Sequence, residues 1–520
     1  MTSTIAVYDA FWPTAGGGER YAAGVADVLS RSHDVTLIAH EPLDTAWLGG
    51  RLGLDLSRTA VSVVDPCAPL EQVSAGHDLL VNLSYRDHGR NGARRGVYVV
   101  HFPDRPGGER ARWQALLQDA VGPALRLDGR EPVSVVGGFH PPDVIRWQQV
   151  RWTNGRGVLL VEGVPGSTRI LRLWFGRYVP GGETRAITVS VDGVPVETAV
   201  LRPPRSKVEV VEPLRVDVPV LGRRGGSTVE ITSAATVAHD VLGNGDHRRL
   251  GVPLVAATLG GGPRGALAAR ASLLGSGRAG TAWLDSYDLV VANSHFTQGW
   301  IDRWWGRPST VLEPPVGLRR LLPKVPMILS VGRFFAPDRG HSKKQLELVQ
   351  AFRRLLERGI DGWELHLAGG CSPDDRPYLE EVQRAAEGLP VVVHVDAEGA
   401  EVDALFGRAS IYWHATGLGE DLDADPVRAE HFGITTVEAM SAGAVPVVIA
   451  TGGQPEIVTD GVDGVLCTTA EDLVEATASL VGDRARWLRM SDSARSAADR
   501  FGLEAFGARL LGLVEPLLER

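Results

Sequence analysis

Glu430 and Glu438 stand with seven residues between them, around the segment His431-Phe432-Gly433-Ile434-Thr435. The stretch reads as loop, then helix, then strand: Thr435 is the expected N-cap, Gly443 the expected stop, and Val445–Ile449 the strand that follows. A loop that feeds a helix start offers unpaired backbone N–H groups and the positive end of a dipole, which suits a phosphate or pyrophosphate. Carboxylates accept hydrogen bonds from hydroxyl pairs, so one at each end of that loop suits a sugar and a ribose flanking a diphosphate. On spacing alone, an exposed Glu followed by an ordinary helix-start Glu fits at least as well.

Other residues have matching chemistry. Gly332-Arg333 ends a strand-like run, and Lys343-Lys344 opens the helix that follows. Cations there neutralise charge on a departing diphosphate. A helix N-terminus is otherwise a poor place for two Lys. Gly16-Gly17-Gly18 permits close backbone approach to a ligand and does not fit the G-x-G-x-x-G dinucleotide pattern. His101 and His414 each fall at a strand end, where α/β proteins place binding groups. Arg86, Arg90, Arg94 and Arg95 form a basic stretch that either receives a phosphate-bearing acceptor or is a solvated loop, the plainer account. Asp423-Ala424-Asp425 is literally D-x-D, but it sits in a polar loop and is not read as a metal site.

Glu430-x7-Glu438, with Phe-Gly between and Glu438-Ala439-Met440 after, resembles the signature of glycosyltransferase family 4, whose fold is GT-B. Gly332-Arg333, the Lys pair, the GGGER turn at 16–20 and the segment 292–317 agree with it in order. The resemblance implies that Glu438 holds the donor ribose and Glu430 contacts the transferred sugar. Phe432, Gly433, Ile434 and Thr435 would face the diphosphate or sugar, as would Gly17 and Gly18. Arg333 and Lys343, with Lys344 as the alternate, would stabilise the leaving group. His101 would place the acceptor; His414, by its position at a strand end facing the cleft and not by the resemblance, is a further acceptor contact to expect. It also implies retaining transfer without a metal or other cofactor, from a nucleotide sugar to a glycan, lipid-linked or small-molecule acceptor. Segment 292–317 is similar to mannosyltransferases that extend lipid-linked oligosaccharides, which makes GDP-mannose the first donor expected; UDP, ADP and dTDP sugars stay open. The usual acidic residue after Pro-Pro-Val is here Gly317.

The elements that must carry these residues are two α/β halves. Strand runs at Ile5–Tyr8, Val35–Ala39, Val61–Val64, Leu79–Asn82 and Val97–Val100 alternate with helical spacing. They resume after Tyr287 and again from Met327. From residue 130 to 259 the texture changes to short alternating runs, among them GVLLVEGV, AITVSVDGVPVETAV and TVEITSA, with Asp192-Gly193 as a hairpin turn. The expected organisation is a GT-B protein, α/β, with an inserted all-β sandwich. Its parts are an acceptor domain over 1–129, the β module over 130–259, a return over 260–316, a donor domain over 317–500 and a closing helix over 501–520.

Composition sets limits. The chain has 520 residues, 44% hydrophobic and 22% charged, with a net charge of -9. This excludes a dominant basic surface of the nucleic-acid-binding kind. Three Cys, far apart, offer no disulfide framework or metal spacing. With no signal-like start and no apolar run of spanning length, the expectation is a cytoplasmic bacterial enzyme of polysaccharide or glycoconjugate synthesis, at most peripheral to a membrane. The rival outside this class is a non-catalytic carbohydrate-binding protein.

Overall fold

The structure, a computed structural model, describes residues 2–65, 68–105, 133–145, 148–162, 165–177, 179, 183–202, 213–237, 248–259, 281–337 and 342–519. The Gly-rich return at 260–263, Trp147, Lys207 and Cys67 lie outside the described residues.

The chain divides into two compact units. One comprises Met1–Val63, Leu70–Asp104 and Leu284–Arg520; the other comprises Val64–Pro69 and Arg105–Trp283.

The first unit holds two parallel sheets. Across one sheet, among the described residues, lie Thr310–Val311, Leu289–Ala292, Arg95–Val100, Leu79–Asn82, Thr4–Tyr8, Asp34–Ala39 and Ala60–Val63. The other runs Val391–Val395, Glu364–Gly369, Val325–Val331, Ala409–His414, Val445–Ile449 and Val465–Cys467. Strands such as Leu79–Asn82 and Val445–Ile449 are buried throughout. That explains their unbroken Val/Ile/Leu runs, since a parallel sheet is covered on both faces. In each sheet the earliest strand in the chain lies inside and the order reverses beside it, between Thr4–Tyr8 and Leu79–Asn82, and between Val325–Val331 and Ala409–His414. At such a reversal the loops leave in opposite directions and open a crevice beyond the strands' carboxyl ends. Asp9 to Gly18, Leu83 and Ser84 follow one reversal; Gly332, Arg333 and Ala415 follow the other.

Helix Gly17–Leu29 covers the first sheet with Tyr21, Ala22, Val25 and Val28. The closing helix spans Leu503–Leu518. It sends Phe506, Leu510 and Val514 into that same core, so the last residues of the chain close over the first.

The second unit carries, among the described residues, an eight-stranded antiparallel sheet. Asp192 and Gly193, with φ of 48° and 82°, turn Arg185–Val191 into Val194–Leu201. Two positive φ values match the type I′ hairpin that Asp-Gly favours. Strand Gln148–Val161 is much longer than the run GVLLVEGV suggests. It pairs with Val133–Ile145 on one side and with Ser227–Ser233 and Pro253–Leu259 on the other. Leu159, Leu171, Val189, Val218 and Ile231 share one core, so the sheet curves over its own apolar face. Trp152, Trp174 and Phe175 are buried in that unit and offer no exposed aromatic platform.

Candidate functional site

The second sheet's reversal gathers most of the residues picked out by type and spacing. Glu430 is the hub. Its Oε2 accepts from Lys343 Nζ at 2.5 Å and from His414 Nε2 at 2.9 Å. Lys343 comes from the segment before helix Gln345–Glu357, and His414 ends the strand Ala409–His414. Since a carboxylate only accepts, His414 presents Nε2–H to it. Burial lowers the affinity of His414 for a second proton, against the raising effect of Glu430. His414 is 3% exposed and supports the Glu430 carboxylate through this contact.

The helix after Glu430 begins at Ile434, one residue before the expected N-cap. Gly433 is the N-cap, with φ 118°, and Thr435 lies in the first turn, where its Oγ1 accepts from Tyr412 Oη at 2.7 Å. A residue that takes that φ without a Cβ starts the helix more readily than Thr435, whose hydroxyl is already engaged. Gln454 and Ile457 leave no room for a Cβ at 433. The amides of Gly433, Ile434 and Thr435 thus stand at the open end of this helix.

Glu438 sits one turn in, 6% exposed. Its Oε1 accepts from Arg319 Nη2 at 2.5 Å, and Arg319 also pairs with Asp403. Burial holds the Glu438 carboxyl above its ordinary range, while the guanidiniums of Arg319 and Arg20 pull the other way. Arg20 belongs to the GGGER turn. Its guanidinium lies so near Gly317 that a side chain there would collide with it. The missing acid at 317 therefore coincides with an Arg20 that faces Glu438. No spacing in the sequence singles out Arg319 or Arg20 for this.

The two lysines part. Lys343 goes to Glu430, its stem over Gly332, where a built Cβ would lie 2.5 Å from Lys343 Cγ. Lys344 is the N-cap of helix Gln345–Glu357 and turns to Glu420. Arg333 is exposed and makes no ion pair among the described residues; Gln345 Nε2 holds its carbonyl at 3.0 Å and that of Gly332 at 3.2 Å.

The first sheet's loops meet this array. A Cβ built on Gly17 would lie 3.1 Å from Ile434 Cδ1, and one on Gly18 3.6 Å from His101 Cε1. Phe102 stacks on His431 with ring centroids 4.2 Å apart, and Ser294 Oγ donates to His431 O at 2.6 Å. Glu456 accepts from His295 N at 2.7 Å and Phe296 N at 2.6 Å. His101 Nε2 is 2.7 Å from Leu83 O, so it is the donor there. Burial keeps the ring neutral by lowering its pKa, which leaves Nδ1 as a lone pair.

Arg86, Arg90, Arg94 and Arg95 all face acids, namely Asp104, Glu71, Asp78 and Asp288. That stretch is a neutralised loop. Trp300 and Trp304 pack together and Trp304 meets Phe102, in keeping with a packing role.

Residues 320–497 match the family model for glycosyl transferases group 1. Human GDP-Man:Man(3)GlcNAc(2)-PP-Dol alpha-1,2-mannosyltransferase is 27% identical over 254 residues, 45% of this chain and 49% of that protein. The GDP-mannose-dependent alpha-(1-6)-phosphatidylinositol monomannoside mannosyltransferase of Mycolicibacterium smegmatis is 30% identical over 182 residues, 33% of this chain and 44% of its own length. The chain spans about half the length of these mannosyltransferases. Anabaena HepE, solved in complex with UDP and glucose, superposes with a TM-score of 0.52 at 13% identity, covering 99% of this chain and 100% of its own. Sucrose-phosphate synthase of Thermosynechococcus elongatus superposes with a TM-score of 0.51 at 13% identity, covering 99% of each chain. These likenesses show the fold, two doubly wound sheets of the GT-B kind.

Proposed function

We propose, from the match of residues 320–497 to the model for glycosyl transferases group 1, that this chain moves a hexosyl group from a nucleoside-diphosphate sugar to a glycan or lipid-linked acceptor. GDP-mannose is the first donor to try, because the two mannosyltransferases above are named for it. The observation that carries the reading is the Lys343–Glu430–His414 array at the second sheet's reversal, with Glu438 one helical turn beyond.

In this reading the amides of Gly433, Ile434 and Thr435 receive the diphosphate, and Glu438 takes the ribose hydroxyls. Glu430 accepts from a hydroxyl of the transferred sugar. Lys343 and Arg333 supply positive charge as the diphosphate leaves, so the charge that must be met has side chains to meet it. Transfer is retaining. The bond from the anomeric carbon to the phosphate oxygen breaks, the acceptor oxygen bonds on the same face, and the acceptor proton passes to the departing phosphate. No protein nucleophile is needed; the side chains position and neutralise. His101 Nδ1 accepts from the acceptor or sugar hydroxyl. The antiparallel sheet is read as a sandwich with a structural or acceptor-positioning role. No helix among the described residues is long and apolar enough to cross a membrane, and a lipid-linked acceptor would be met peripherally.

A thermal-shift screen against GDP, UDP, ADP, dTDP and their sugars tests this, because a ligand of the folded state raises the midpoint. Stabilisation by one nucleotide, with turnover of its sugar and loss of turnover in Glu430→Ala, is the expected result. Stabilisation by none refutes the reading; binding without turnover of any activated sugar favours a carbohydrate-binding protein.

A further inference from the structure

We infer that Lys344 and Glu420 are positioning residues whose ion pair aligns Lys343 with Glu430, an inference that rests on the donor site just described. Consecutive lysines run to different partners: Lys343 Nζ lies 2.5 Å from Glu430 Oε2, and Lys344 Nζ lies 2.5 Å from Glu420 Oε1. The backbone that separates them is unusual. Lys344 has φ 58° and ψ 37°, a left-handed conformation that a lysine adopts only when its surroundings hold it there. It is 7% exposed. Ser342 Oγ accepts from its amide at 3.3 Å, and its carbonyl begins the helix by accepting from Leu348 N at 3.0 Å.

Glu420 lies in the loop that leaves His414 and arrives at Glu430. Both its oxygens are taken, Oε1 by Lys344 and Oε2 by Arg428 Nη1 at 3.2 Å. Arg428 also donates to Pro337 O at 3.0 Å and pairs with Asp425 at 2.9 Å. Two ion pairs therefore join the same two segments side by side. The Lys343–Glu430 pair meets the substrate, and a leaving diphosphate competes for its ammonium. The Lys344–Glu420 pair does not, so it keeps the segments in register while Lys343 changes partner. Opening it would leave the Lys344 ammonium, 7% exposed, with Glu347 Oε1 at 3.8 Å in place of a carboxylate at 2.5 Å, so the mostly buried pair resists opening.

The chain has four lysines, Lys207, Lys324, Lys343 and Lys344, so amine labelling read by fragment mass spectrometry resolves each one. In Glu420→Gln and in Lys344→Met, the labelling rate of Lys343 relative to Lys324 should rise severalfold, as in Glu430→Gln. With the turned-over donor, kcat should fall roughly 10- to 100-fold while donor KM stays within about twofold, because misplacement of a reacting-centre group costs rate more than affinity. The double variant should equal the single ones, since both break one pair. Lys344→Arg, which keeps the charge, should restore most of the rate. Should Glu420→Gln fail to fold, Glu420→Asp and Lys344→Met ask the same question. An unchanged Lys343 labelling rate in the folded variants, or additive losses in the double variant, overturns the inference. A wild-type protein that turns over no donor while Lys343 labelling still responds refutes the transferase reading and leaves the alignment role standing.

Discussion

Gly452 gives a way to move Glu430 without touching its carboxylate. Its φ is 61°, and a built Cβ would collide with the carbonyl oxygen of Glu430 and lie 3.1 Å from Ala429 Cβ. That carbonyl is also held by Gly453 N at 2.8 Å. Gly461 is the matched control, with φ 72° and open space where its Cβ would be. An L-residue in this conformation costs about 1–2 kcal/mol, and Gly461→Ala should lose that much stability and nothing else. Gly452→Ala bears the same backbone cost plus a collision with a main-chain oxygen, which cannot rotate away as a flexible side chain can. The Glu430 backbone must then shift by a distance on the order of 1 Å, and a displacement of that size costs on the order of 100-fold in rate. The assay is initial-rate transfer or donor hydrolysis by both variants, with nucleotide affinity by thermal shift and stability by denaturant titration. The expected pattern is a large fall in kcat for Gly452→Ala only, with nucleotide affinity largely kept through Glu438. Equal activity in the two variants would falsify the claim that the position of Glu430 governs the chemistry.

Glu456→Ala should leave the first two amides of helix His295–Trp305 without their acceptor, costing about 1–2 kcal/mol. It should also raise donor and acceptor KM together, measured by initial rates, because the same carboxylate ties the loops of the two sheets. Burial pushes the Lys324 ammonium down to about 7, whereas an unfolded lysine keeps its proton to about 10.4. The unfolded chain therefore binds more protons between those values, and stability should rise with pH across that window; in Lys324→Met that part of the slope should vanish from midpoints measured at pH 7 to 10. Arg319→Ala removes the hydrogen-bonded partner of the Glu438 carboxylate, 6% exposed, and leaves Arg20 as its nearby cation, which predicts a loss of up to about 3–5 kcal/mol by denaturant titration. Arg319→Ala should also raise donor KM.

Much was legible in the sequence because it is local. Apolar runs of strand length alternating with helical spacing specify two doubly wound sheets, and Asp192-Gly193 specifies its hairpin, since φ at both positions is positive. The spacing from Glu430 to Glu438 follows from a loop feeding a helix, and the structure joins Glu430 to Lys343, sets Gly17 against Ile434 between the two carboxylates, and sets Gly18 against His101. Only tertiary structure decided the partners. Lys343 and Lys344 are chemically identical neighbours, and what separates them is a left-handed backbone at Lys344, whose ammonium meets Glu420, 76 residues away. His414 reads from the sequence as a group at a strand end, and only the fold shows it buried with Nε2 on Glu430. Thr435 lost the cap position to Gly433 because Gln454 and Tyr412, distant in the chain, occupy the space and the hydroxyl. Arg319 and Arg20 carry no local mark, because a guanidinium's role depends on which carboxylate the fold buries beside it. Sequence periodicity reports which face of an element is dry; where a charge finds its partner depends on long-range packing, which no short window contains.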